Sequence, residues 1–332
     1  MKQINASRLT QIIKWIILLI VLILLVNYLI KHRHEFHFLT EIELEYIIPV
    51  VLLTVFVLLL SCLRFDMMLT HVAHRMPRYT VFKYFVLGRI INRFLPYGGS
   101  VYRAIMFKKS DGVSYKKYVA SNVAFDWLNL FYSTLFGIVV VGVLDPRLMI
   151  RSVPLLPLFL GALVLLVTGI PLVKAILIRF GRSASSGPFK ARVDEMSEIV
   201  DRFTDVLRNQ KIFFANSIII SLVVGCSLVS FTLLFKSVGV DTDVAVLLVY
   251  LIILRFFSAM RITPANLGIR EFLLGYLTFS LGIGAAEGVA VSIMMRLVTL
   301  CVQGFMSLGI FVLGGAGRLL SGKKGWGRNE NI

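Results

Sequence analysis

Acidic side chains are scarce in this chain: 18 Asp and Glu stand against 35 Lys and Arg in 332 residues, and only 16% of the residues are charged at all. Chemistry that needs clustered carboxylates, such as general acid–base work on a phosphate or divalent-metal assistance, has little material to draw on. The three cysteines, Cys62, Cys226 and Cys301, each fall inside an apolar run with no disulfide or ligand spacing, so they read as inert packing residues. No Gly-rich P-loop and no Ser-His-Asp pattern is present, so no nucleotide site is available to drive work. His32, His34, His37, His71 and His74 lack acidic or cysteine partners at ligand spacing, and neither a metal nor another cofactor is expected.

What the chain has in excess is apolar surface. Hydrophobic residues make up 58% of it and the mean hydropathy is +0.85, far above a soluble domain of ordinary make-up. The expected fold class is all-α, a polytopic transmembrane helical bundle. A net charge of +17 and a pI near 10 would suit nucleic acid if the basic residues formed a stripe on a wet face, but they lie mostly between apolar runs. They read instead as a topology signal and as affinity for anionic headgroups.

A hydrocarbon core about 30 Å thick needs roughly 20 apolar residues in a helix. Runs of that order cover 12–30, 46–63, 118–143, 154–178, 212–235, 244–260 and 288–314, while two shorter ones, 79–95 and 270–285, are broken by Gly, Pro or Arg. Lys14 and the run Trp15 to Ile30 resemble a secretory signal, yet no small-residue cleavage site follows and Lys31-His32-Arg33-His34 comes next, so this is an uncleaved first span. Lys2, Arg8 and Lys14 place the tail inside, against the acidic first loop with Glu35, Glu41, Glu43 and Glu45. The connection 64–117 then falls inside, with eleven Lys and Arg opposed only by Asp66 and Asp111. Because 79–95 is basic on both flanks, it is predicted to dip into the bilayer and return. About eight crossings plus this re-entrant segment satisfy every loop and put both termini in the cytoplasm.

The chain divides into a first membrane half at 12–178 with a re-entrant segment at 79–103, a linker at 179–211, a second half at 212–316 and a basic tail at 317–332. In the linker, Pro188 opens a helix in which Val193, Met196, Val200, Phe203 and Val206 recur at helical spacing. Two placements stay open for it: the inner membrane face, or packing on other protein segments, since its five acidic residues would be repelled by anionic lipid.

Two segments break the helical rule that lipid imposes on backbone. One runs from Asn92 through Pro96-Tyr97-Gly98-Gly99 to Arg103; the other runs from Arg261 through Pro264-Ala265-Asn266-Leu267-Gly268 to Arg270-Glu271. Both have Pro, then Gly, then Arg. Proline and glycine should interrupt a helix there, and the helix that restarts would aim free N–H groups and a positive end at whatever fills the gap. With Arg103 or Arg270 added, each segment suits an anionic group such as phosphate. Otherwise the two are tight turns whose arginines snorkel to headgroups. Asp126, Arg255 and Arg296 sit inside apolar runs, where ionisable groups are costly. Asp126 faces a choice of Arg296, Arg103 or Arg270, in a structural ion pair or at a substrate.

These residues, Leu95-Pro96-Tyr97-Gly98-Gly99 with Arg103, Thr263 to Glu271, and Arg296-Leu297-Val298-Thr299, resemble the lysylphosphatidylglycerol synthase transmembrane family, also labelled flippase-like or UPF0104, over about residues 10–316. The resemblance implies an inner-membrane protein of the cell envelope that moves a lipid between leaflets. It implies no synthase activity, since the chain stops at Ile332 and fused relatives carry a following aminoacyl-transferase domain. Ala265 stands where the family usually has glycine. The expected substrate is an anionic lipid, either an aminoacyl phospholipid or a polyprenyl-phosphate glycolipid, and movement would be downhill or coupled to an ion gradient. The substrate contacts expected are Pro96, Gly98, Gly99, Arg103, Asp126, Pro264, Asn266, Gly268, Arg270, Glu271 and Arg296. Two alternatives stand beside transport: a membrane transferase on polyprenyl phosphate, and a non-transporting partner of a glycosyltransferase. No nucleic acid partner is expected, and a homo-oligomer is left open.

Overall fold

A computed structural model describes residues 43–95, 97–144, 149–150, 153–183, 187–258, 266, 268–280 and 282–320. The expected first span at 12–30, the tail from residue 321 onward, Pro96 and Pro264 lie outside the described residues. Ten α-helices account for nearly all of the remainder: α1 (Ile47–Val72), α2 (Arg78–Phe94), α3 (Gly98–Asp111), α4 (Tyr115–Leu144), α5 (Leu155–Ser183), α6 (Pro188–Arg208), α7 (Gln210–Lys236), α8 (Val244–Ser258), α9 (Ile269–Ser280) and α10 (Ala285–Leu320). A single 3-10 turn, Leu44–Tyr46, precedes α1, and two-residue strands β1 (Met149–Ile150) and β2 (Val153–Pro154) pair antiparallel between α4 and α5.

Among the described residues, five helices are long and apolar enough to cross a membrane: Leu44–Val72, Tyr115–Val143, Leu155–Gly181, Gln210–Lys236 and Ala285–Val312. The protein is therefore a multi-pass membrane protein, and these five helices match five of the eight expected crossings, the one at 12–30 lying outside the described residues. The runs expected to cross at 244–260 and 270–285 form α8 and α9, of 15 and 12 residues. At 1.5 Å per residue these reach only about 22 and 18 Å, short of a hydrocarbon core of about 30 Å. They pair as a helical hairpin, in which the Tyr250 hydroxyl on α8 donates to the Leu277 carbonyl on α9 at 2.8 Å.

The first break folds the same way. Leu95 takes the extended conformation that a residue before proline prefers, φ −123° and ψ 113°, which stops α2. Tyr97 then adopts a left-handed φ of 63° and α3 starts at Gly98. The two helices return antiparallel, with Asn92 beside Gly99, Gly88 beside Arg103 and Tyr84 against Phe107. Glycine is required at the contact: a Cβ on Gly99 would lie 2.7 Å from the Gly88 carbonyl carbon.

A long helix, a helical hairpin and a second long helix thus occur twice in sequence, as α1, α2–α3, α4 and as α7, α8–α9, α10. The two sets interlock: α1 packs along α7, α4 leans on α8 and α10 leans on α2. Aromatic rings fill the first set, where Phe65 contacts Phe85, Phe107, Tyr118 and Phe125.

Helix α6 joins the sets and docks on α4 and α5. Val193, Phe203 and Val206 of its apolar stripe are buried, with the Phe203 ring edge-on to Trp127. Its acidic face is tied down by ion pairs from Lys116 to Glu198 at 2.8 Å and from Lys174 to Asp201 at 2.7 Å. The hydrogen bond from Lys116, joined by one from Arg202, holds the Glu198 carboxyl below the usual carboxylate range.

Candidate functional site

Where the two interlocked sets meet, a partly open cavity of about 410 Å³ is lined by α1, α2, α3, α4, α7, α8 and α9. Its size falls within the range of small-molecule sites. Both broken segments reach it, the first through Asn92, Arg93, Tyr97 and Arg103 and the second through Asn266 and Arg270. Tyr97 and Asn266 are also the two non-glycine residues with positive φ among the described residues, at 63° and 52°. Asparagine tolerates that region, whereas for a bulky tyrosine it is strained. Each break therefore delivers one left-handed residue to the cavity wall.

The lining is cationic. Among the described residues it holds Arg64, Arg89, Arg93, Arg103, Arg255 and Arg270, with Asp126 as the one carboxylate. Two guanidinium groups about 7 Å apart repel by roughly 2 kcal/mol at an effective dielectric of about 20, so such a ring holds together best around an anion.

Neutral acceptors and ring faces hold the guanidiniums in place. Arg64, 1% exposed, donates from Nε to Asn216 Oδ1 and from Nη1 to Asn129 Oδ1, each at 2.7 Å, and its guanidinium stands 4.8 Å from the Phe125 ring centre. Arg103, 5% exposed, donates to Ser100 Oγ and Asn122 Oδ1 and stacks 5.2 and 5.5 Å from the rings of Phe65 and Phe85. Arg93 donates to Gln303 Oε1, Arg255 donates to Ser227 Oγ, and the Arg89 guanidinium stands 4.9 Å from the Phe85 ring centre. Amide and hydroxyl acceptors fix orientation without cancelling charge. Arg64 Nη2, Arg103 Nε and Arg255 Nε remain buried with no protein partner among the described residues, at a cost of about 1–3 kcal/mol for each such donor.

Backbone plays a smaller part than the sequence suggests. The first N–H groups of α3 are consumed inside the hairpin: Gly98 donates to the Leu95 carbonyl, Gly99 to Asn92 Oδ1, and Ser100 and Val101 to the Tyr97 carbonyl. The Gly268 N–H is likewise taken by Glu271 Oε2 at 2.7 Å. Positive charge at the cavity is therefore carried by side chains.

Of the residues expected to touch substrate, Arg103, Asp126, Asn266 and Arg270 line the cavity. Gly98 and Gly99 shape the hairpin tip, and Gly268 supplies the N–H that Glu271 accepts. Glu271 and Arg296 are not among the lining residues. They form a buried ion pair, 2.7 Å from Arg296 Nη2 to Glu271 Oε1, and Arg296 also reaches the Asn266 carbonyl at 3.4 Å, so together they brace the second break. Asp126 accepts from Asn122 Nδ2 at 3.3 Å.

Sequence reasoning passes over Arg64, Arg89, Asn122 and Asn129, and leaves Asn92, Arg93 and Arg255 without a role at the site. A signal for several of them exists: Asn122, Asp126, Asn129 and Ser133 recur at helical spacing within the long apolar helix α4, and all four line the cavity. Arg64 reads as part of the following loop because the apolar run ends there, but α1 continues eight residues further to Val72.

The family model described as Lysylphosphatidylglycerol synthase TM region matches residues 11–306. No curated protein and no solved structure matches the chain.

Proposed function

The chain belongs to the lysylphosphatidylglycerol synthase TM region family, and from that premise we propose that it moves an anionic lipid between leaflets by lodging the headgroup in the arginine-lined cavity. The observation that carries this is the meeting of both Pro-Gly-Arg breaks at one cationic cavity inside an apolar bundle. Arg103 and Arg270, one from each hairpin, hold the phosphate; the acyl or prenyl tails stay in lipid beside the bundle.

The charge pattern of the loops orients this scheme. With the span at 12–30 and the five long helices as the crossings, the hairpin α2–α3 enters from the cytoplasmic side and α8–α9 from the opposite side. Each hairpin begins and ends on one face, so both termini remain cytoplasmic although fewer helices cross. Their tips then meet near the midplane, where transporters built from broken helices and inverted repeats bind their cargo. Two interlocked sets rocking against each other would open the cavity to one side and then the other.

A transferase would need a base or a carboxylate cluster beside the phosphate, and Asp126 is the one carboxylate among the described lining residues. Transport is therefore the better fit to the lining. The test is reconstitution of the full chain in liposomes with a fluorescent anionic lipid, reading the access of an external quencher to the label. The native chain is expected to expose the inner-leaflet label much faster than empty liposomes, and an Arg103→Ala, Arg270→Ala double variant to lose most of that gain. Equal rates for the two proteins would remove the transport reading.

A further inference from the structure

The lining carries a surplus of five positive charges among the described residues, six arginines against Asp126. A phosphodiester headgroup supplies one negative charge against that surplus, and a diphosphate supplies more. An aminoacyl phosphodiester is worse matched, because its ammonium groups would face the same arginines. The amide oxygens of the lining already take donors, Asn129 and Asn122 from Arg64 and Arg103 and Asn92 from the Gly99 N–H, which leaves Asp126 as the one charged acceptor for an ammonium among the described lining residues.

The unpartnered donors point the same way. Arg64 Nη2, Arg103 Nε and Arg255 Nε come from three helices, α1, α3 and α8, around one space. Two linked phosphate groups reach further than one, and their oxygens can meet more than one planar guanidinium fork at a time. Resting on the transport reading of this cavity, we infer that its cargo headgroup is a diphosphate, as on a prenyl diphosphate lipid, and not an amine-bearing phosphodiester.

Binding is measured on the full chain in nanodiscs of phosphatidylcholine, by calorimetric titration with farnesyl diphosphate, farnesyl monophosphate, farnesol, short-chain phosphatidylglycerol, short-chain lysylphosphatidylglycerol and inorganic pyrophosphate. Farnesyl diphosphate is expected to bind roughly tenfold or more tighter than phosphatidylglycerol, with the monophosphate between them and the lysyl lipid weakest, as stacked charge-assisted bonds require. Phosphatidylglycerol or its lysyl ester binding as tightly as the diphosphate would overturn the inference. Inorganic pyrophosphate is expected to bind at least about tenfold more weakly than farnesyl diphosphate, since it lacks the apolar burial of the chain. Equal affinity would assign the site to a free anion and overturn the lipid assignment. The ligand series uses the native chain, so no variant needs to fold. It also separates from the quencher assay: a diphosphate preference without lipid movement sinks transport alone, whereas faster movement of phosphatidylglycerol than of a prenyl diphosphate sinks this inference alone.

Discussion

The tightest contact in the first hairpin offers the sharpest test of how the site is built. In Gly99→Ala the added Cβ would lie 2.7 Å from the Gly88 carbonyl carbon, 2.8 Å from Asn92 Cγ and closer still to the Gly88 oxygen. A carbon and a carbonyl oxygen rest at about 3.3–3.6 Å, so α3 must move off α2 by more than an ångström. The obstruction is backbone and cannot rotate away. Overpacking of this kind costs typically about 1–3 kcal/mol.

The movement also reaches the cavity. Arg103 lies one turn along α3, with its guanidinium 5.2 Å from the Phe65 ring and 5.5 Å from the Phe85 ring, near the outer limit of about 6 Å for such stacking. A displacement of α3 by an ångström or more loosens both contacts, each worth about 0.5–2 kcal/mol. Gly161→Ala is the matched control, since Gly161 lies inside α5 and nothing falls within 4 Å of the place its added methyl would take. There alanine should be neutral or stabilising by up to about 1 kcal/mol through helix propensity. The assay is thermal unfolding of the two purified variants in detergent, paired with lipid movement in liposomes. Gly99→Ala should unfold several degrees below Gly161→Ala and move lipid more slowly. If the two variants unfold and transport alike, the close packing of the hairpin does not position Arg103 and the reasoning fails.

Two further outcomes are expected from the second break. Arg296→Met leaves the Glu271 carboxylate, 2% exposed, without its cation, and should cost about 3–5 kcal/mol in denaturant unfolding; adding Glu271→Gln should return a part of that loss, and a double variant no better than the single would contradict a structural pair. Asn266→Gly should keep stability within about 1 kcal/mol of the native chain, while Asn266→Val should lose about 1–3 kcal/mol because a β-branched side chain resists a φ of 52°; equal melting of the two by circular dichroism would refute that.

Much of the architecture is legible because lipid makes hydrophobic runs nearly equivalent to helices. The runs 118–143 and 212–235 correspond to α4 at Tyr115–Leu144 and α7 at Gln210–Lys236. The crossing count is not legible, because a run such as 270–285 reads the same whether it traverses or turns back; its described helix has 12 residues, about 18 Å against a hydrocarbon core of about 30 Å. The breaks announce themselves through Pro and Gly, whereas Gly88 does not: it sits mid-helix with no turn signal, and its purpose emerges only when Gly99 arrives against it. Charges mislead for a related reason. Arg64 and Arg89 lie in a basic stretch that serves as a topology signal, and composition cannot separate an arginine facing headgroups from one turned into the bundle.

The choice of acceptors separates two kinds of buried or half-buried arginine among the described residues. Arg296 is neutralised by Glu271 and holds the second break in place. Arg64, Arg93, Arg103 and Arg255 are held by asparagine, glutamine or serine oxygens, with ring faces beneath Arg64 and Arg103. A bundle selected for stability alone would gain by pairing such cations with carboxylates or by replacing them with apolar residues of similar volume. Neutral acceptors do neither: they hold the guanidiniums in place without cancelling their charge. Asn129→Asp would place a carboxylate against Arg64, and should stabilise the fold while weakening anion binding at the cavity. The opposite signs are what a site poised for an anion requires, and a gain in both would mean that Arg64 is merely part of the scaffold.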